Sequence, residues 1–257
     1  VEFLYSLLYE GDKVVSDKYI TDCPFGLFGI IHKIKCNDWS IYVYQATLSL
    51  MRDPIANKLL RHQGVITAAF IEALSLINRE YWDSKLFPKL NDIEEVNKYC
   101  YFIEALEKNV PARYLPRLKT ALKEVDTMDK LYKVFWSWVY KLKFPEPPVA
   151  KTGNLIPIDS YKKLCGKALE YRNCLKSLVG PVLDGGAYYY EWLGREKAIV
   201  ELSYDRFIGW GISNVKGVGN EGLGDEALDE FVVEMVSCDI RLYSQDYGLY
   251  RHESLME

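Results

Sequence analysis

Six polar residues between positions 172 and 220 have side chains whose chemistry could combine in one active site. They are Arg172, Asn173, Cys174, Glu201, Lys216 and Asn220. Cys174 is a candidate nucleophilic or redox thiol, provided that a cation such as Arg172 or Lys216 stabilises its thiolate. Glu201 is a candidate general base on a predicted central strand. The sequence therefore predicts a small pocket with Cys174, Glu201 and Lys216 as catalytic residues, if these side chains converge.

Each member of this set also has a structural interpretation. Cys174 falls within a predicted helix beside buried leucines, where a free cysteine is more often a small core residue, and this interpretation is favoured. Glu201 fits a structural ion pair as well as it fits a general base. The segment from Lys216 to Asn220 contains two glycines, whose N–H groups can bind an anion. A plain turn that needs positive φ is the favoured alternative there, with Asn220 capping the next segment.

An aromatic strand follows the predicted helix. Tyr188, Tyr190 and Trp192 alternate along it and share one face, whereas Tyr189 faces the other side. An exposed row of rings on a sheet can stack nucleic-acid bases, as in RNA-binding sheets. More often such a row packs beneath a helix as part of the core. Both interpretations place the three rings on one surface of the sheet.

The segment from Arg113 to Lys143 is locally basic. It holds eight Lys and Arg residues against three Asp and Glu residues, a net charge of +5. Three aromatic residues are interleaved with these charges: Trp136, Trp138 and Tyr140. Arg113, Arg117 and Lys123 are candidate contacts to a phosphate backbone. The favoured alternative is the solvated face of amphipathic helices.

The common catalytic motifs are absent from the sequence. There is no HExxH, GxxxxGK[ST] or GxSxG, and no GxGxxG in a strand–helix context. The three histidines lie far apart and no pair of cysteines has CxxC spacing, so no metal site and no thioredoxin-type site is predicted. No cofactor is predicted either.

The amino-acid composition limits the classes of protein to which the chain can belong. The 257 residues include 49% hydrophobic and 26% charged residues, which is the balance of a globular protein whose core needs no disulfides. The net charge of −4 argues against a whole-protein polyanion binder but allows a local basic patch. The cysteine spacing favours free thiols in a reducing compartment, so a cytoplasmic location is expected. No apolar run is long enough to span a membrane, and no membrane partner is expected.

Periodicity predicts a mostly helical region over residues 1–150. Val1–Val15 fits either a hairpin or a helix, and Ile41–Tyr44 is strand-like. Helical patterns follow at 64–82, 92–106, 115–125 and 128–142. The proline-rich segment Phe144–Pro148 cannot lie inside a helix, and it places the expected domain boundary after Ala150.

The sequence pattern over residues 151–257 predicts a helix, a three-stranded antiparallel meander and a closing helix. The first helix is capped by Asp159 or Ser160 and runs to about Leu183, where Asp184–Gly186 stops it. Strands are expected at 187–193, 197–203 and 208–215, and the closing helix at 225–238. The sequence thus predicts an α+β fold in which the first helix packs against the meander.

Several motifs occur in a fixed order between Leu155 and Asn220. They are Tyr171–Leu175, Gly185–Gly186, Ala198–Leu202, Trp210–Gly217 and Asn220. In this order they resemble the PcfJ-like domain family, found in proteins of conjugative plasmids, phages and other mobile elements. Asn173 stands where many members have His, and Asn214 where many have Glu or Gln. The resemblance implies the fold above and a mobile-element or anti-phage context but no reaction, and the missing His argues against Cys–His chemistry.

Three functional hypotheses remain open at this point. The resemblance, the basic helices and the aromatic strand favour a nucleic-acid-associated accessory protein of a mobile genetic element or anti-phage system, with DNA or RNA as its partner. One alternative is an enzyme whose pocket includes Cys174, Glu201, Lys216 and Asn220. The other is a protein-interaction module of a larger complex. The fold alone cannot choose among them.

Overall fold

The computed structural model describes residues 24, 26–207, 209–238 and the backbone of 241–242. Val1–Val15, with its possible hairpin, lies outside the described residues, as does Ile208, the first residue of the third expected strand. The described residues fall into two compact units. One lies within 1–104 and 113–134, and the other within 105–112 and 135–257.

The first unit is helical, and most of its helices begin at a side chain that accepts a hydrogen bond from a backbone N–H group. These caps are Ser40, Asp53, Thr67, Asp92 and Thr127. The helices are α1 (Leu27–Ile31), α2 (Ile41–Leu50), α3 (Pro54–His62), α4 (Ala68–Leu76), α5 (Ile93–Asn109), α6 (Leu115–Glu124) and α7 (Met128–Val139). The C-terminal ends of α5 and α7 belong to the second unit. None of the described helices combines the length and the apolar character needed to cross a bilayer.

Two sequence predictions in the first unit are wrong. Ile41–Tyr44 is the first turn of α2 rather than a strand, because Ser40 caps it and the residues that it buries, Val43 and Thr47, are four positions apart. The helix expected at 64–82 is shorter and is confined to α4, because the chain becomes extended at Ile77. A separate 3-10 turn follows.

The second unit is built on a sheet with the strand order β1-β2-β3-β4-β5. Its elements are β1 (Leu155–Pro157), α8 (Tyr161–Glu170), α9 (Val179–Asp184), β2 (Ala187–Leu193), β3 (Lys197–Asp205), β4 (Gly209–Lys216), α10 (Asp225–Ser237) and β5 (Arg241–Leu242). Strands β1 to β4 are antiparallel, and β5 lies parallel to β4. The α+β fold and the antiparallel meander of β2, β3 and β4 are confirmed. Strand β1 was not predicted from the sequence; it has three residues, ends in Pro157 and pairs with β2.

The helix expected between Ser160 and Leu183 is interrupted. Ser160 caps its start as predicted, because its hydroxyl accepts a hydrogen bond from the N–H of Lys163. However, α8 ends at Glu170, and Arg172 then adopts a left-handed conformation with φ of 51°. Periodicity alone could not show this break, because the apolar stripe continues across it.

Helical structure resumes after this break, beginning at a side-chain hydrogen bond. The Asn173 side-chain oxygen accepts a hydrogen bond from the N–H of Leu175 at 3.1 Å, and Leu175–Leu178 forms a 3-10 helix. Helix α9 follows and ends at Gly185, where φ is 78°. The glycine stop is therefore confirmed, although it ends a second short helix rather than one long helix.

Alternation along β2 separates the two faces of the sheet. Tyr188, Tyr190 and Trp192 point to one face and are at most 2% exposed. The Trp192 ring packs edge-on against Phe231 of α10, with ring centroids 5.3 Å apart. This face is therefore the core side of the sheet, and α10 packs against it at Trp192. The other face, which includes Tyr189, carries polar groups.

The proline-rich segment before β1 is hydrogen-bonded within the second unit. The N–H of Phe144 donates to the Asp159 carbonyl at 2.8 Å. The Tyr190 hydroxyl donates to the carbonyl of Val149 at 3.0 Å and accepts from its N–H at 2.9 Å. The expected domain boundary after Ala150 stays a prediction, because these contacts do not test which segments fold alone.

Candidate functional site

A cleft of about 80 Å³ opens beside the polar face of the sheet in the second unit. Strands β2, β3 and β4 form its floor, the segment between α8 and α9 forms one wall, and the turn after β4 forms another. Its lining residues are Asn173, Cys174, Leu175, Leu178, Tyr189, Ile199, Glu201, Asn214, Lys216 and Asn220.

Five of the six residues selected from the sequence line this cleft. They are Asn173, Cys174, Glu201, Lys216 and Asn220. Arg172 does not line it, and its side chain is exposed. Cys174 and Glu201 thus lie on one side of the sheet, as the predicted pocket requires. The catalytic roles of these residues stay predictions, because convergence is a statement about geometry alone.

Strand pairing places the polar side chains of the floor next to each other. Tyr189 of β2, Glu201 of β3 and Asn214 of β4 are aligned across the sheet. Lys216 pairs with Ile199 in the next row. The register between β3 and β4 shifts immediately after Glu201, and such bulges re-aim side chains next to functional sites. The floor is therefore a cross-strand row of hydrogen-bonding groups.

Glu201 is the acid at the centre of this row and is half-buried. Its Oε1 accepts a hydrogen bond from the Tyr189 hydroxyl at 3.2 Å, and the Asn214 side chain also hydrogen-bonds the carboxyl group. Burial raises the pKa of Glu201 above its usual 4.5, and the two hydrogen bonds oppose this rise only in part. A carboxyl group with a raised pKa can accept and return a proton closer to neutral pH.

Tyr189 stays protonated in this arrangement. Burial, followed by the negative charge of Glu201, raises the pKa of the Tyr189 hydroxyl well above its usual range. The hydroxyl therefore remains a donor to Glu201 at physiological pH. It holds the carboxyl group in one orientation towards the cleft.

The favoured interpretation of Cys174 as a buried core residue is wrong. Its side chain is exposed, because the break after α8 turns it away from the apolar stripe, which continues with the buried Leu175. The Cys174 carbonyl accepts hydrogen bonds from the N–H and the hydroxyl of Ser177, at 2.9 and 2.7 Å. The thiol is thus attached to a well-bonded backbone and is accessible from solvent.

Two left-handed residues flank the cleft. Arg172 and Asn220, with φ of 51° and 63°, are the two residues other than glycine with positive φ in the described part of the chain. Between them, the N–H of Gly219 donates to the Tyr171 carbonyl at 2.8 Å. This bond joins the turn after β4 to the break after α8. Uncommon backbone conformations persist where the surrounding structure fixes them, and they cluster at functional sites.

The two glycines after β4 lie in a turn and have bonded N–H groups. Gly219 has φ of 71°, and its N–H is bonded to Tyr171, as described above. The N–H of Gly217 donates to the Glu221 carbonyl at 2.8 Å. Because both glycine N–H groups have backbone partners, neither is available to an anion. The interpretation as a turn that needs positive φ is confirmed.

A buried acid that was not predicted from the sequence lies on the same face of the sheet. Glu191 of β2 is 6% exposed, and its Oε1 accepts hydrogen bonds from Lys167 Nζ at 2.6 Å and from the Tyr171 hydroxyl at 3.0 Å. A single Glu inside an otherwise apolar strand was the available signal. Tyr189 and Asn214 were missed as cleft residues because their contact with Glu201 depends on strand register.

The expected base-stacking platform is not present on the sheet. Tyr188, Tyr190 and Trp192 are all buried. Trp192 Nε1 donates to Glu234 Oε2 of α10 at 2.8 Å, and the hydroxyl of Tyr190 is bonded to the backbone of Val149. No base can reach these rings, so their assignment as binding residues is wrong. They form the core, as such aromatic rows usually do.

The basic segment is partly neutralised within the first unit. Lys123 forms an ion pair with Asp83 at 3.1 Å, and Lys119 forms one with Glu80 at 2.6 Å. Lys123 is therefore a poorer phosphate contact than its charge suggests. Arg113 and Arg117 are exposed. A role for these two residues in nucleic-acid binding stays a prediction.

No family model, curated protein or solved structure matches the chain in the comparisons made. The resemblance to the PcfJ-like domain family accordingly stays an expectation that depends on the sequence motifs alone. Among the described residues, no group of three or more His, Cys, Asp and Glu side chains is placed to hold a metal ion. The cleft is therefore the feature of the chain that bears on its function.

Proposed function

We propose that the cleft is the active site of an enzyme that transfers or hydrolyses a small acyl group through a cysteine thiol. The observation that carries this proposal is the convergence of Cys174, Glu201 and Lys216 on one cleft, with a raised pKa for Glu201. Titratable groups with perturbed pKa values in a cleft are candidates for catalysis. The two left-handed residues on either side support the same location.

The size of the cleft limits what it can hold. Pockets for whole drug-sized ligands or cofactors are roughly 300–1,000 Å³, whereas this cleft has about 80 Å³. It accommodates one functional group of a larger molecule, with the remainder of that molecule outside. An acyl or amide group at the end of a chain has a suitable size. This favours a substrate that presents a terminal group to the thiol.

The residues of the cleft have complementary roles in such a reaction. The Cys174 thiol gives its proton to the Glu201 carboxylate as its sulfur bonds to the acyl carbon. The leaving group departs with that proton, and a thioester remains on Cys174. Water then attacks the thioester, gives a proton to Glu201 and releases the acid, and the proton returns to the thiol. Lys216 stabilises the negative charge that develops on the acyl oxygen.

The experiment that tests the proposal compares two exposed thiols of the same chain. Cys174 lies in the cleft, whereas Cys36 is also exposed but lies in the first unit. We expect chloroacetamide fragments of varied shape to label Cys174 selectively, as measured by intact mass and peptide mapping. Glu201→Gln and Lys216→Met should slow labelling at Cys174 and leave the rate at Cys36 unchanged.

Activity is tested with small activated esters and thioesters as substrates. Cys174→Ala should abolish turnover, and Cys36→Ala should leave it unchanged. The proposal fails if the two thiols react alike with every fragment and neither Glu201→Gln nor Lys216→Met alters the rate at Cys174. Turnover that persists in Cys174→Ala also rules it out.

Nucleic-acid association is a second proposal, supported by the exposed Arg113 and Arg117. The guanidinium of Arg113 lies 4.7 Å from the ring centroid of Tyr114, which is itself exposed. Arginine and aromatic side chains in this arrangement suit phosphate and base contacts. Replacing both arginines with alanine should weaken oligonucleotide binding at low salt and reduce its salt dependence. The interaction-module hypothesis stays a prediction without a specific observation in its favour.

A further inference from the structure

Three aromatic rings of the second unit, none of which lines the cleft, form a partly exposed cluster. We call Trp136, Tyr140 and Tyr161 the aromatic triad. The Trp136 and Tyr161 rings are stacked with centroids 5.3 Å apart, and Tyr140 meets Tyr161 edge-on at 6.4 Å. Trp136 is 39% exposed and Tyr140 is 52% exposed. A contiguous exposed patch of large apolar side chains can mark an interaction site.

The fold holds the triad in a fixed arrangement. Trp136 lies on α7 and Tyr140 directly follows the last residue of that helix, so the two side chains are four positions apart. The Trp136 ring also meets the buried Phe135 ring edge-on, with centroids 5.2 Å apart. Tyr161 is the first residue of α8. An antiparallel bridge between Lys143 and Ser160 holds the start of α8 beside the chain that leaves α7. The rings are therefore positioned before any partner arrives, which lowers the entropic cost of binding.

Three exposed lysines border the triad. Lys141 follows Tyr140 in sequence, Lys162 follows Tyr161, and Lys143 lies at the bridge between the two helices. Within the described part of the chain, none of these three lysines forms an ion pair. Their positive charge is available to an anionic partner, although the whole chain has a net charge of −4. Charge and exposed rings thus coincide on one surface.

We propose that this surface binds single-stranded nucleic acid, with bases stacked on Trp136 and Tyr140 and phosphates beside the three lysines. Single strands offer unstacked bases to aromatic rings, whereas the bases of a duplex are paired and stacked on each other. An acidic peptide would satisfy the lysines but not the ring faces. The inference rests on the nucleic-acid association proposed above, but it assigns the contact to different residues in the other unit.

The test uses the full chain and a fluorescently labelled oligothymidine, with binding followed by fluorescence anisotropy at low salt. Trp136→Ala combined with Tyr140→Ala should weaken binding about tenfold or more, because each base stacked on a ring adds substantially to affinity. Replacing Lys141, Lys143 and Lys162 with alanine should reduce the slope of log affinity against log salt by about 2, since each single-strand phosphate contact contributes about 0.7.

A matched control is available on the same unit. Phe207 is 79% exposed, and the guanidinium of Arg206 lies 4.4 Å from its ring centroid. Arg206→Ala combined with Phe207→Ala removes an exposed aromatic–cation pair elsewhere and should leave binding unchanged. Glu201→Gln should also leave binding unchanged, which separates this inference from the proposed enzyme activity.

Several results would overturn the inference. One is tighter binding of a duplex, or of poly-glutamate, than of the single strand. Another is equal loss of binding in the triad variant and in the Phe207 control. If Arg113→Ala with Arg117→Ala abolishes binding while the triad variant binds normally, nucleic-acid association stands but the triad is not the site. If the wild type does not bind at low salt, both proposals about nucleic acid fail together.

Discussion

The two faces of the sheet in the second unit come from the same strands yet have opposite properties. On one face, Tyr188, Tyr190 and Trp192 are buried, and Trp192 packs against Phe231 of α10. On the other face, the alternate residues Tyr189 and Glu201 form hydrogen bonds at the floor of a cleft. A strand that contributes to the core with every second residue leaves the remaining positions free for polar chemistry. The core face and the cleft face should therefore respond differently to substitution.

The largest effect is expected on the core face. Trp192→Ala removes a fully buried ring that packs on Phe231 and donates to Glu234. It should lower the free energy of unfolding by about 3–5 kcal/mol, as large-to-small core changes do, measured by urea denaturation. Trp136→Ala, which removes an exposed ring of the same type, serves as the control and should cost much less. Similar losses for the two variants would contradict the division into core and surface.

A smaller loss of stability is expected when the ion pair of the buried Glu191, on the cleft face, is broken. Lys167→Met removes the ion-pair partner of Glu191 and leaves a carboxylate with only 8% of its side chain exposed. Loss of this charged hydrogen bond should lower the free energy of unfolding by about 2 kcal/mol. Adding Glu191→Met should recover most of the lost free energy of unfolding, because a buried ion pair can be replaced by apolar groups. A double-mutant cycle in urea measures this coupling, and strictly additive losses would refute it.

Glu201 should make stability depend on pH in a defined direction. The pKa of Glu201 is raised in the folded protein, so folding favours its protonated form. This contribution is fully present below the unfolded value of about 4.5 and is lost as pH rises through the folded pKa. Glu201→Gln should therefore gain stability relative to the wild type on going from acid to neutral pH. A difference that stays constant, or one of the opposite sign, would show that burial does not set this pKa.

The smallest effect on stability is expected at the exposed thiol. Cys174→Ala should change the free energy of unfolding by no more than about 0.5 kcal/mol, as exposed substitutions do. The same change should abolish selective labelling in the cleft. A loss of several kcal/mol would instead place Cys174 in the core, as the sequence first suggested. Thermal unfolding and mass spectrometry on one sample measure both quantities.

Regular alternation and glycine stops allowed the sequence to predict much of this unit. β2 begins and ends at the residues expected, and Gly185 stops the preceding helix. The break at Arg172 could not be predicted, because the apolar stripe continues through it while the backbone turns. That single break determines whether Cys174 is buried or exposed. Local periodicity reports which side chains are buried but not the conformation of the residues between them.

Five of the residues that line the cleft could be selected from the sequence. The contacts among them could not be predicted from it. Alternation along β3 predicts that Glu201 and Val200 point to opposite faces of the sheet. Its contacts with Tyr189 and Asn214 depend on the pairing register and on the bulge after Glu201. The burial of Trp192 depends on α10, a helix more than thirty residues later in the chain. Such long-range packing is not encoded in any local pattern.

The last turn of α5 stabilises the end of α9, which matters for any fragment that contains only the later part of the chain. Lys108 Nζ donates to the Asp184 carbonyl at 2.6 Å, and Asn109 Nδ2 donates to the Leu183 carbonyl at 3.0 Å. These donors satisfy carbonyl groups at the end of α9, yet they precede it by more than seventy positions. A fragment that starts at residue 151 would lack them and would leave that helix end to water. During synthesis on the ribosome, α5 emerges long before α9, so this end of α9 meets a partner that is already present.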